Sequence, residues 1–239
     1  MKPGEEARLI FLLGEGNLEE GKRLRRKYTA ERVDQDFRRL AAFWDEKLSC
    51  LQVSTPNEGM NTELNIWNLY QSEINVLFSR FTSFIEVGGR VGLGYRDTAQ
   101  DAMMVPHADP GACRRRLVEL LRALTRAGYG LHLFEPRWFE PEQEKQSFRS
   151  PTVIPTPDRA QIVHGIKDAC ADDALWLVSA VVQYIKETGE MSFVDLPVTY
   201  ADGGEGSVYE HLTRILDFSA ERSDRTAFAR ACGQTGMTV

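Results

Sequence analysis

Residues 88–97 read Gly-Gly-Arg-Val-Gly-Leu-Gly-Tyr-Arg-Asp and lie after a strongly apolar stretch. Glycines at such density let backbone come close to a ligand. The guanidiniums of Arg90 and Arg96 can fork onto sugar hydroxyls or an oxyanion, and the Asp97 carboxylate can accept from a pair of hydroxyls. That combination suits a phosphorylated sugar, or a sugar attacked by phosphate. A plainer reading is open on the same residues: a glycine-rich turn in which Arg96 and Asp97 form a salt bridge at a helix start. A dinucleotide fingerprint is excluded, because no strand pattern precedes the segment and the closing G-x-x-G is missing.

Other candidates are weaker. Arg80 falls on the apolar stretch, where a charge needs a partner, either an intrahelical carboxylate (Glu73 or Glu86) or a ligand. Trp67 and Trp176 can stack on sugar, but their apolar helical neighbours favour core packing. His107 and His164 fall into no ligand set. Cys50, Cys113, Cys170 and Cys232 lack C-x-x-C spacing, so no metal site and no disulfide framework is expected.

Helices must position these groups. Thr29 caps a helix with Val33, Phe37, Leu40, Trp44, Leu48 and Leu51 on one side. From Asn61 to about Val87 the chain is apolar nearly all round, which predicts a helix buried on several sides. Asp109-Pro110 opens another, with Leu117, Leu120, Leu121 and Leu124 on one face and Gly128 near its end. Asp172 to Glu187 predicts a third with Leu175, Val178, Val182 and Ile185 inward. Ser207 to Glu210 reads as a capping box before Val208, Leu212, Ile215 and Leu216. Arg8 to Leu13, closed by Gly14 to Gly16, reads as a short strand, and 131–160 as a long proline-studded loop. With no βαβ alternation, the class is mainly α, with helix pairs joined by loops.

With 42% hydrophobic residues in 239, a core is within reach, and a net charge of −6 argues against nucleic acid or an anionic membrane as partner. No apolar run has the length of a membrane span and no signal core opens the chain, so a soluble cytoplasmic protein is expected.

Several segments resemble one family in the right order: NIWNLYQSEINVLFSR (65–80), GGRVGLGYRDTAQD (88–101), SPTVIPTP (150–157), DDALWL (172–177) and TYADGGEGSVYEHLTRILDF (199–218). They resemble the inverting disaccharide phosphorylases of glycoside hydrolase family 94, the cellobiose and N,N'-diacetylchitobiose phosphorylase group, with the chitobiose type nearer. The resemblance implies a partial (α/α)6 toroidal barrel over 61–222, a helical linker over 17–60 and a short remnant of an N-terminal β-sandwich over 1–16. It implies that Arg80, Arg90, Arg96 and Asp97 line the subsite for the non-reducing sugar, with Arg96 also toward phosphate. The implied partners are a β-linked disaccharide and inorganic phosphate as co-substrate, with no cofactor, and the full-length form is expected to be a homodimer.

The family's general acid is an Asp in an Asp-Trp-Asn-Asp run, which this sequence does not contain, so the chain is expected to be an inactive fragment. The tail 223–239 departs from the family pattern. Joining the third base of each codon to the first two of the next, Cys232 to Val239 can encode Arg-Ala-Asp-Trp-Asn-Asp, so a frameshifted tail is expected. Two other readings remain: an inverting hydrolase on the same barrel, and a non-catalytic sugar-binding helical module.

Overall fold

The computed structural model describes residues 4–14, 17–78, 93–139, 170 and 172–222. They are mainly helical: α1 (Leu18–Lys27), α2 (Ala30–Leu48), α3 (Glu58–Thr62), a π-helical turn (Glu63–Trp67), α4 (Asn68–Phe78), α5 (Tyr95–Ala102), α6 (Pro110–Arg122), α7 (Asp173–Thr188) and α8 (Val208–Glu221). Strands β1 (Leu93–Gly94) and β2 (Leu133–Phe134) pair antiparallel, as do β3 (Pro197–Thr199) and β4 (Glu205–Ser207).

The helix starts follow local chemistry. Thr29 accepts from the Arg32 amide and Asp109 from the Ala112 amide, with Pro110 next to it. The capping box forms in full: Glu210 N–H donates to the Ser207 hydroxyl, and Ser207 N–H to the Glu210 carboxylate. Each cap satisfies a donor that a helix end leaves open.

The core lies where α7 packs on α5 and α6, with α8 against α7. Tyr95, Ala99 and Ala102 of α5 meet Leu117, Leu120 and Leu121 of α6 and Leu177, Ala180, Val181 and Tyr184 of α7. Each fully buried leucine among them is worth about 2 kcal/mol of transfer free energy.

Five expectations need correction. Residues 5–14 form no strand: they pair with nothing as a ladder among the described residues, and Leu9 and Leu13 are exposed. A strand requires a partner that a short apolar run does not itself supply. The helical stretch begins at Glu58 behind an Asn57 cap rather than at Asn61, and is not buried on several sides: only Leu69 and Val76 of α4 are buried, while Ile66, Trp67, Leu77 and Phe78 are exposed. In α7 the fully buried face is Ala174, Leu177, Val181 and Tyr184, one residue round from the face expected, of which Leu175, Val178 and Ile185 are partly buried against the core and Val182 is exposed. Leu216 of α8 likewise faces out, whereas Val208 and Ile215 are buried. The loop expected over 131–160 opens as β2 and a 3-10 turn (Pro136–Phe139), and its part from 140 onward lies outside the described residues.

Candidate functional site

Arg96 and Asp97 stand in the first turn of α5, not in a free turn. That turn is held from below. The Tyr95 hydroxyl donates to the Leu120 carbonyl at 3.0 Å and its amide to the His132 carbonyl at 3.1 Å, and its ring is fully buried. Gly130 makes room for it: a Cβ there would stand 2.6 Å from the Tyr95 ring. Burial takes the Tyr95 hydroxyl well above the usual phenol range. Tyr95 thereby fixes where the next two side chains leave the helix.

Arg96 does not pair with Asp97. Its Nη1 donates to both carboxylate oxygens of Asp172, at 3.2 and 3.3 Å, across the gap to the start of α7. Asp172 is the N-cap residue of α7 yet makes no capping hydrogen bond, because its carboxylate is turned to Arg96 and to the indole Nε1 of Trp176, 3.3 Å away. Both side chains of the pair keep partial exposure, 33% and 25%. Burial works against the Arg96 charge, but the Asp172 carboxylate outweighs it and the guanidinium sits above its ordinary value.

The neighbouring carboxylate, Asp173, is fully buried and accepts from His132 Nδ1 at 2.9 Å, with Cys170 Sγ 3.3 Å from the same nitrogen. The hydrogen bond to Asp173 raises the His132 imidazole above its usual value despite burial, and burial pushes the Cys170 thiol up to about 11. Sequence reasoning missed this group. His132 and Cys170 are 38 residues apart, and nothing in their spacing announces that β2 and the start of α7 meet.

Two of the four expected site residues, Arg96 and Asp97, therefore lie side by side at the meeting of two helix starts, while Arg80 and Arg90 lie outside the described residues. Glu73, one of the two carboxylates considered for Arg80, is engaged by Lys47 at 3.2 Å. Trp67 is 52% exposed with its ring edge-on to Tyr70, so the core role expected for it does not hold. Trp176 is half-buried, one side against the core and its nitrogen on Asp172. His107 is exposed, and His164 lies outside the described residues. A separate cavity of about 310 Å³, lined by Phe43, Trp44, Lys47, Glu73, Asp109 and Arg116, lies between α2, α4 and α6 and does not include the Arg96 group. Among the described residues, no helix is long and apolar enough to cross a membrane.

The chain is 53% identical over 232 residues to an N,N'-diacetylchitobiose phosphorylase of Vibrio proteolyticus and 50% identical over 232 residues to one of Vibrio furnissii, in each case 96% of this chain and 29% of the relative. It is 29% identical over 223 residues to a solabiose phosphorylase of Paenibacillus borealis, 92% of this chain and 24% of the relative. The chain thus spans less than a third of the length of these relatives. The profile of the glycosyl hydrolase 94 superfamily, catalytic domain, matches residues 43–233, a span that opens inside α2 and ends within the tail. By that match over most of its length, the chain belongs to the glycosyl hydrolase 94 superfamily.

Proposed function

We propose that this chain carries the non-reducing-sugar side, and the adjoining phosphate side, of an inverting disaccharide phosphorylase. Such an enzyme, a hexosyltransferase by its chemistry, cleaves a β-linked disaccharide with inorganic phosphate to a sugar 1-phosphate and a free sugar. The observation that carries this reading is the partly exposed Arg96 guanidinium, oriented by Asp172 where the starts of α5 and α7 meet, beside Asp97. The Vibrio relatives, both N,N'-diacetylchitobiose phosphorylases by name, point to that disaccharide as the first substrate to try.

The chemistry asks for such a site. A phosphate oxygen attacks the anomeric carbon from the face opposite the leaving group, the glycosidic bond breaks, and an acid gives its proton to the departing oxygen. Phosphate takes the place of the base-activated water of an inverting hydrolase, so the attacking side needs cations more than a second carboxylate. Asp172 draws only on Nη1 of Arg96, and Nε and Nη2 engage nothing among the described residues, which leaves them for phosphate or a sugar hydroxyl. The start of α5 adds to this, since Gly94 gives no side-chain cap and uncapped helix N-termini favour anions. In this reading Arg80 and Arg90 join Arg96 and Asp97, α4 to α8 form the first part of an (α/α)6 barrel, and the whole enzyme is a homodimer. The acid comes from an Asp-Trp-Asn-Asp run that this sequence does not contain, so the chain by itself turns over nothing.

The test is a graft. Residues 17–222 replace the matching segment of the Vibrio proteolyticus relative, which supplies the rest. The graft is expected to release a sugar 1-phosphate of inverted anomeric configuration from N,N'-diacetylchitobiose, read by NMR, and only when phosphate is present. Release of two free sugars without phosphate would select an inverting hydrolase instead.

A further inference from the structure

We infer that His132, Cys170 and Asp173 form a binding site for a single zinc-class divalent ion, with one coordination position left to an outside oxygen ligand. The inference rests on these three side chains and is independent of the phosphorylase reading.

The three ligand atoms, His132 Nδ1, Cys170 Sγ and an Asp173 carboxylate oxygen, all lie within 4.8 Å of one another. The backbone produces this convergence. Cys170 stands shortly before Asp172, the N-cap of α7, and Asp173 opens the helix itself, while His132 arrives just before β2. Imidazole, thiolate and carboxylate are the donors that zinc takes, at about 2.0–2.3 Å and in tetrahedral array. Ligand atoms around such an ion stand about 3.4–3.6 Å apart. The observed separations of 2.9 Å from Nδ1 to Asp173 Oδ2 and 3.3 Å from Nδ1 to Sγ fall short of that by about half an ångström or less, which side-chain rotation supplies.

An independent observation favours an ion over a hydrogen-bonded cluster. Asp173 is 0% exposed, and its Oδ1 has no hydrogen-bond partner among the described residues. A buried carboxylate with an orphan oxygen costs free energy, and the hydrogen bonds from the imidazole and the Cys170 thiol leave that oxygen unanswered. A divalent ion meets both demands. It draws on the carboxylate and displaces the protons of Cys170 and His132, as metals do with such ligands. Three protein ligands on a tetrahedral ion leave one position open, which is the pattern of sites that bind water or a substrate oxygen. The group is close enough to Arg96 and Asp97 for both to act on the charge of His132.

The experiment uses the full chain, freed of metal with a chelator and then titrated with cobalt(II), whose thiolate charge-transfer band and tetrahedral visible bands report Cys ligation. We expect one equivalent of cobalt to give both, one equivalent of zinc to abolish them, and elemental analysis to find one zinc per chain after desalting. Cys170→Ser is expected to remove the charge-transfer band with helical circular dichroism intact, and Cys50→Ser with Cys232→Ser to keep it. His132→Ala is expected to weaken cobalt binding by more than about 10-fold, the smallest loss typical even of removing a group that only supports a metal ligand. Absence of the band from the wild-type chain, or its persistence in Cys170→Ser, overturns the inference and leaves an imidazole–carboxylate pair.

Discussion

At the scale of single residues, the Arg96–Asp172–Trp176 group is a positioning device as much as an ion pair. One carboxylate fixes both a guanidinium and an indole. Asp172→Asn in the graft is expected to lower kcat/KM about 10-fold or more while leaving the fold intact, as misplacement near the reacting centre does. Unchanged kinetics would reduce Asp172 to an ordinary surface partner. Lys47 is the second residue of note, joining α2 to Glu73 of α4 and to Asp109 at the start of α6. Burial works against its charge, but hydrogen bonds to Asp109 and Glu73 raise it above the usual lysine value. That stabilisation is full below the ordinary lysine range and is lost as pH rises through the raised value. Burial also raises Asp109, yet the Lys47 hydrogen bond holds it below the usual aspartate value, so its share is lost as pH falls through that value. Glu73, raised by burial, runs the other way and gains from protonation in acid. Lys47→Met is therefore expected to cost about 2–3 kcal/mol near neutrality, with the deficit shrinking in strong acid and strong alkali in melts followed against pH.

At the scale of elements, what could be read from the sequence was what neighbouring residues decide. Thr29, Asp109-Pro110 and Ser207-x-x-Glu210 announce helix starts because the capping groups are local. The buried face of α7 was not legible, since Leu175, Val178 and Val182 are as apolar as Leu177, Val181 and Tyr184, and only packing on α5 and α6 chooses between them. Arg96 and Asp97 were named from the sequence, but the partner was not: it comes from 76 residues away, and the Arg96–Asp97 bridge of the plainer reading gives way to Asp172. His132, buried Asp173 and Cys170 meet by the same long-range route. Gly128 and Gly130 show how tightly the α6 to β2 connection is set. Gly128 has φ +94° and would place a Cβ 2.2 Å from the Arg214 carbonyl oxygen, against α8. Gly130→Ala, which drives into the Tyr95 ring, is expected to cost about 1–3 kcal/mol by overpacking and to lower activity of the graft through Arg96. A variant that melts lower yet keeps full kcat/KM would separate Tyr95 from the site.

At the scale of the whole molecule, apolar surface is distributed unevenly. The inner face of α8 is packed: Ile215 is fully buried and Leu212 partly. Among the described residues, much of the exposed apolar surface lies on α2 and on the helical stretch from Glu58 to Phe78, at Phe37, Leu40, Phe43, Trp67, Leu77 and Phe78. Patches of that kind associate in water. The chain alone is expected to self-associate in size exclusion with light scattering and to bind a hydrophobic dye, and a monodisperse monomer without dye binding would contradict this.

The central claim is that the meeting of α5 and α7 is the sugar-and-phosphate side of a phosphorylase site. The most direct measurement is the phosphate dependence of sugar 1-phosphate release by the graft, with and without Arg96→Ala. Loss of one such guanidinium is expected to cut kcat/KM for phosphate about 100-fold or more, with the fold unchanged by circular dichroism. An Arg96→Ala graft that consumed phosphate as well as its parent would contradict the account.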